Sequence, residues 1–138
     1  MPLEDAQYVV YLKYGTSGLC LGIDATNVCR VVTYESQGTG ATWNLMSIPG
    51  NPGLLLQHLD TGYFLTFGGT PMQVQPLVPN GVEFYIVLDD VGDGFVAINN
   101  HDRTLVVDAN GDNPNVGALV TPWKWNGGEN QRWRLVQL

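Results

Sequence analysis

Short stretches in which apolar and polar residues alternate, broken every few positions by glycine or proline, set the pattern of this chain. In the closing stretch, Gln131 to Val136, Trp133 and Leu135 alternate with Arg132 and Arg134. That period of two puts one side of an extended segment on a core and the other in water. Twelve such runs, rich in Val, Leu, Ile, Tyr and Thr, read as strands: Gln7 to Leu12, Leu19 to Ile23, Cys29 to Thr33, Thr42 to Ile48, Leu54 to His58, Phe64 to Phe67, Met72 to Pro76, Glu83 to Leu88, Phe95 to Asn99, Thr104 to Val107, Ala118 to Pro122 and Gln131 to Val136. Seventeen Gly and eight Pro supply the turns between them. The chain offers no helix, and the expected class is all-β.

The twelve runs divide into three sets of four, with boundaries near 1–48, 49–90 and 91–138. The first set opens with Tyr11-Leu12-Lys13-Tyr14, turns at Thr16-Ser17-Gly18 into Leu19-Cys20-Leu21, and closes on Trp43-Asn44-Leu45. The second passes from Gln57-His58-Leu59 through Asp60-Thr61-Gly62 to Tyr63-Phe64-Leu65 and closes on Phe84-Tyr85-Ile86. The third runs from Ile98-Asn99-Asn100 through His101-Asp102-Arg103 to Leu105-Val106-Val107 and closes on Trp133-Arg134-Leu135. A four-stranded repeat of roughly 40 to 50 residues also describes a propeller blade. Three blades do not close a propeller, for which about four is the minimum. Three units around a pseudo-threefold axis instead predict a β-trefoil, with six strands in a short barrel and six in hairpins that cap one end. At 138 residues and 44% hydrophobic, a single domain spanning 1–138 can bury its core without staples.

Charge narrows the partners. Six basic against thirteen acidic residues give a net charge of −7, which opposes nucleic acid and anionic membranes and favours a neutral ligand. Met1-Pro2-Leu3-Glu4-Asp5 carries neither a basic nor an apolar leader segment, and no apolar run approaches the roughly 20 residues of a membrane span. No membrane insertion is expected, and the chain reads as cytoplasmic or as exported by an unconventional route. Cys20 and Cys29 would sit near diagonal positions of one hairpin, where a disulfide closes only a small loop; two buried free thiols are expected.

The chemistry concentrates in the final stretch. Asp108 ends an apolar run at a turn, Trp123 and Trp125 follow, and Asn130 and Gln131 precede Trp133. A carboxylate and two amides suit hydroxyl groups, and a flat ring suits the C–H face of a sugar. Each residue also has a structural explanation: Asp108 as a turn cap, the two Trp as covers of the barrel edge, Asn130 and Gln131 as partners for backbone groups. Catalysis finds no support, and no enzyme activity is expected. His58 and His101 lack a neighbouring nucleophile motif. Asp89, Asp90 and Asp93 read as solvated turn charges. The stretch from Asp108 fails as a calcium loop, because its twelfth position is Leu119. Neither a metal nor another cofactor is expected.

Three four-stranded repeats ending in Gln131-Arg132-Trp133 resemble the ricin B-type lectins and their Q-x-W repeats. The layout matches over essentially the whole chain, and the motif is intact once. In general look the chain is similar to small single-domain mushroom lectins, either the mannose-binding kind or the lectin-like chain that accompanies tyrosinase. The resemblance implies that Asp108 accepts hydrogen bonds from two neighbouring sugar hydroxyls and that Trp123, with Trp125 as understudy, stacks on the ring. It further implies that Asn130 completes the hydroxyl contacts and that Gln131 orients Asp108. The turn Ala109-Asn110-Gly111-Asp112 would close the rim, with Gly111 free to take a positive φ. The earlier repeats depart from the pattern: Gly22 and Thr66 replace the aspartate, and Ala41 and Val82 replace the glutamine. Asp24 is the one carboxylate that could substitute in repeat one.

The expected function is therefore non-catalytic binding of a neutral mono- or oligosaccharide, or of a glycoprotein glycan, at one site in the third repeat. The alternative is a protein-interaction trefoil, either a protease inhibitor or a non-catalytic subunit with a protein partner, which would not need Asp108 or Gln131.

Overall fold

A computed structural model describes residues 5–14, 18–111 and 114–138. Twelve strands appear in the expected order: β1 (Ala6–Leu12), β2 (Leu19–Ile23), β3 (Cys29–Thr33), β4 (Thr42–Ile48), β5 (Asn51–His58), β6 (Phe64–Thr66), β7 (Gln73–Gln75), β8 (Ile86–Gly92), β9 (Phe95–Asn100), β10 (Val106–Ala109), β11 (Val120–Trp123) and β12 (Trp133–Gln137). The expected turn at Thr16-Ser17 and the segment Met1 to Glu4 lie outside the described residues.

Antiparallel pairing links β1 to β4, β4 to β5, β5 to β8, β8 to β9, β9 to β12, and β12 back to β1. The ring closes, so these six strands form a barrel without an unpaired edge. The other six form the hairpins β2–β3, β6–β7 and β10–β11. Backbone bonds tie the hairpins to one another: Cys29 N–H to the Met72 carbonyl, Met72 N–H to the Val120 carbonyl, and Val31 N–H to the Ala118 carbonyl. A closed barrel capped by three joined hairpins is the β-trefoil.

The core repeats with the chain. Trp43 and Trp133 are wholly buried, and each indole N–H donates at 3.0 Å to a carbonyl of its own repeat's hairpin, Leu21 and Val107 respectively. Phe84, buried at the corresponding place, has no side-chain N–H and makes no such bond. These bonds fix the alignment of the repeats: Leu21 corresponds to Val107, so the next residue, Gly22, corresponds to Asp108. The buried His58 packs edge-on against Trp43 and bonds through its ring nitrogens to the Gly40 carbonyl and the Thr61 hydroxyl. His101 is exposed near Asp102.

Several expectations need correction. The chain does contain a helix: one turn, Tyr34–Gln37, is capped by the Thr33 hydroxyl, which accepts from the Ser36 N–H. The strands expected at Glu83 and Gln131 begin later, at Ile86 and Trp133, because 3-10 turns at Val82–Phe84 and Glu129–Gln131 carry the chain into them. The run from Thr104 likewise becomes strand only at Val106, so Asp108 lies within β10 rather than at its end. Cys20 and Cys29 are buried free thiols but not diagonal neighbours: Cys20 pairs with Val32 and Cys29 with Ile23. That register places them on opposite faces of the hairpin and in separate apolar clusters. Burial pushes the Cys20 thiol up to about 11 and raises Cys29 further. Among the described residues no helix is long and apolar enough to cross a membrane.

Candidate functional site

On the third repeat, strand β10 and the loops beyond β11 enclose a shallow hollow of about 190 Å³. Asp108, Asn110, Gly111, Trp123, Asn126 and Asn130 line it. The volume falls below the roughly 300 to 1,000 Å³ of sites for drug-sized ligands, which suits one small polar unit.

Asp108 forms the floor. In β10 it pairs with Thr121, and the residue is only 5% exposed, yet its carboxylate faces the hollow. Two amides hold it: Gln131 Nε2 donates to Oδ2 at 2.8 Å and Asn130 Nδ2 donates to Oδ1 at 3.2 Å. A carboxylate offers about four acceptor sites, so roughly two remain for a ligand. Burial raises the Asp108 pKa above the ordinary carboxylate value and outweighs the two amide bonds, which lower it.

Gln131 lies beneath the hollow rather than in its wall. It is fully buried; its Nε2 also donates to the Lys124 carbonyl at 2.8 Å, and its Oε1 accepts from the Asn126 N–H at 2.8 Å. The side chain thus pins the Lys124–Asn126 loop and the carboxylate to one another, which leaves it no free group for a ligand. Asn130 donates further to the Ala109 and Gly111 carbonyls, at 3.1 and 3.5 Å, and so fastens the rim turn. Its Oδ1 accepts no hydrogen bond among the described residues. Gly111 has φ +95°, the left-handed region that glycine tolerates. Asp112, the last residue of the expected rim turn, lies outside the described residues.

The two late tryptophans separate. Trp123 closes β11 opposite Val106, is 58% exposed and walls the hollow. Trp125 is not part of that wall; the Arg132 guanidinium covers its ring at 5.2 Å. The strand ends at Trp123, so the alternation that would place both indoles on one side stops there. Asn126 is the wall residue that sequence reasoning missed. Its Oδ1 accepts from the Gly128 N–H at 2.8 Å, a local turn for which the Asn126-Gly127-Gly128 run was the available signal.

The corresponding places in the other repeats hold no carboxylate. A Cβ on Gly22 would stand 2.5 Å from Val32 Cγ2 and 2.7 Å from Gln37 Oε1, so neighbouring side chains already fill that space. Asp24 does not substitute. It accepts from the Thr26 N–H and hydroxyl, the Val28 N–H and Arg30 Nε, the last at 2.7 Å. Burial alone would raise its pKa, but those donors, Arg30 foremost, hold the carboxyl well below the ordinary range. In repeat two the buried Thr66 hydroxyl accepts from the Gly68 N–H at 2.9 Å. Asp89 and Asp90, expected in a turn, lie within β8, and of the three only Asp93 sits in the turn after it; Asp89 accepts from Arg103 and Asn99. Among the described residues no three His, Cys, Asp or Glu side chains are grouped to hold a metal ion.

Comparison with known proteins places this geometry in context. No match is found among curated protein sequences. The designed threefold-symmetric protein ThreeFoil is 23% identical with a TM-score of 0.82, over 97% of this chain and 100% of its own. A Macrolepiota procera ricin B-like lectin in complex with lactose is 16% identical with a TM-score of 0.79, over 100% of this chain and 99% of its own. A mosquitocidal holotoxin matches at 11% identity with a TM-score of 0.90, over 99% of this chain but only 18% of its own length. These likenesses establish the β-trefoil fold. In sequence, residues 83–138, the stretch that supplies every residue of the hollow, match the family described as ricin-type beta-trefoil lectin domain-like.

Proposed function

We propose that the protein is a carbohydrate-binding lectin with one sugar site per chain, the hollow at Asp108. One observation carries the reading: a carboxylate anchored by two amide donors keeps about two acceptor sites directed into a hollow walled by an exposed indole. A pyranose presents that combination of neighbouring hydroxyls and a C–H face. Asp108 accepts from two hydroxyls, Trp123 stacks on the ring, and Asn130 and Asn126 offer amide groups at the edge. Asn110 and Gly111 form the rim, Gln131 positions Asp108 from below, and Trp125 lies outside the contact. The match of residues 83–138 to a lectin-type family supports the reading, as does the lactose complex of the Macrolepiota procera lectin.

The carbohydrate is a neutral mono- or oligosaccharide or a glycoprotein glycan, of galactose or mannose type. Filled or hydroxyl-bearing positions at Gly22 and Thr66 make the chain monovalent, so a monomer does not crosslink glycans. A glycan array on the wild type and on Asp108→Ala tests this. Specific signals that vanish in the variant, with its thermal transition unchanged, are the expected result. Equal signals from both proteins, or none from the wild type, contradict it.

A further inference from the structure

A larger cavity, about 520 Å³, opens on the barrel wall where β1, β9 and β12 meet. Among the described residues its lining includes Tyr11, Leu12, Lys13, Phe95, Arg134 and Val136, and no carboxylate. None of these residues belongs to the hollow at Asp108.

The disposition of the basic residues sets this cavity apart. Arg30 and Arg103 are tied to Asp24 and Asp89 at 2.7 and 2.9 Å. Arg132 is spent on the Val91 and Gly127 carbonyls. Lys13 and Arg134 instead flank one aromatic ring, with Lys13 Nζ 5.0 Å and the Arg134 guanidinium 4.3 Å from the Phe95 centroid. Among the described residues Lys13 Nζ holds no hydrogen bond and meets Glu129 only at 4.0 Å. Among the described residues Arg134 donates once, through Nη2 to the Asp93 carbonyl at 2.8 Å, with Nε and Nη1 unengaged.

Two cations beside one ring repel each other; Glu129 meets Lys13 alone, at 4.0 Å, and no carboxylate among the described residues lines the cavity they share. We propose that the cavity is a second binding site, for a small amphipathic anion such as an aromatic carboxylate or sulfonate. Its charged group sits between Lys13 and Arg134, and its apolar body lies on Tyr11, Leu12, Phe95 and Val136. The volume lies within the range of sites for such molecules, and charge-assisted bonds from both cations fix the orientation.

Titration with 8-anilinonaphthalene-1-sulfonate, read by its fluorescence, tests the site, with neutral N-phenyl-1-naphthylamine as comparator. One saturable site per chain is expected, weakened by salt. Lys13→Gln and Arg134→Gln should each lower affinity about tenfold, as loss of one charge-assisted bond implies, while Asp108→Ala leaves it unchanged. If Arg134→Gln disturbs the fold through the Asp93 carbonyl, Lys13→Gln, which gives up no hydrogen bond, still decides the matter. The proposal is overturned if the sulfonate does not bind, if the neutral dye binds as tightly, if Lys13→Gln has no effect, or if Asp108→Ala abolishes binding.

Discussion

Gly128 touches no ligand in the proposed complex, yet a single methyl group there should disable the site. Its backbone, at φ −67° and ψ 155°, suits any residue, so Gly128→Ala meets no strain in the main chain. The obstacle is local: the new Cβ would lie 2.5 Å from Asn130 Oδ1 and 3.0 Å from Asn126 Oδ1. Both atoms end flexible side chains and can withdraw, which keeps the cost to the fold small. Restoring even a tight contact moves Asn130 by about half an ångström, which stretches its bond to Asp108 from 3.2 Å to ~3.7 Å, beyond useful length. With Asp108 no longer held on that side, its aim at the ligand is lost, and one charge-assisted bond from a sugar hydroxyl to the carboxylate is worth about 1.5 to 3 kcal/mol. Sugar affinity should therefore fall about tenfold to a hundredfold. Stability, by contrast, should change little, because the restricted unfolded chain returns up to about 1 kcal/mol against the weakened Asn130–Asp108 bond and the local crowding. Calorimetric titration of wild type and variant with a sugar selected by glycan array, beside thermal melts of both, separates the two effects. Unchanged affinity, or a loss of melting temperature that parallels the loss of binding, would refute the placement of Asn130 in the site.

Trp123→Ala removes a ring that is mostly exposed, so binding should drop by about tenfold or more while the melting temperature stays within a few degrees, measured by the same titration and melt. Acid should weaken sugar binding, because Asp108 must be ionised to accept from hydroxyls and its pKa is raised; the loss should begin above the ordinary carboxylate range, as affinity measured against pH would show. Stability linked to the same group runs the other way: the folded state holds the proton to higher pH than the unfolded chain, so this contribution declines as pH rises through the acidic range and is absent in Asp108→Ala. Cys20 and Cys29 should resist a thiol reagent in the folded protein and both react after denaturation; labelling of either under native conditions would contradict their burial.

The fold was legible because its signals are local and repeated. Short runs rich in Val, Leu, Ile, Tyr and Thr, often alternating and bounded by Gly or Pro, marked the strands, and Trp43, Phe84 and Trp133 marked the end of each repeat, where all three are buried. Turn geometry was not legible. Whether Phe84 and Gln131 enter on a strand or on a 3-10 turn depends on what they pack against, and the one-turn helix at Tyr34 rests on a single hydroxyl cap. Asp108, Asn130 and Gln131 could be selected from sequence since a lone Q-x-W and an upstream carboxylate occur in the third repeat only. That Trp125 turns away follows from where β11 stops, and the place of Asn126 follows from the Gln131 bond to its backbone; both are long-range consequences that spacing does not encode.

The most direct test is a crystal structure with the strongest-binding sugar soaked in. One pyranose per chain is expected, with two adjacent hydroxyls within hydrogen-bond distance of the Asp108 carboxylate and the ring face against Trp123. A sugar bound elsewhere on the molecule, with the Asp108 carboxylate untouched, would contradict it.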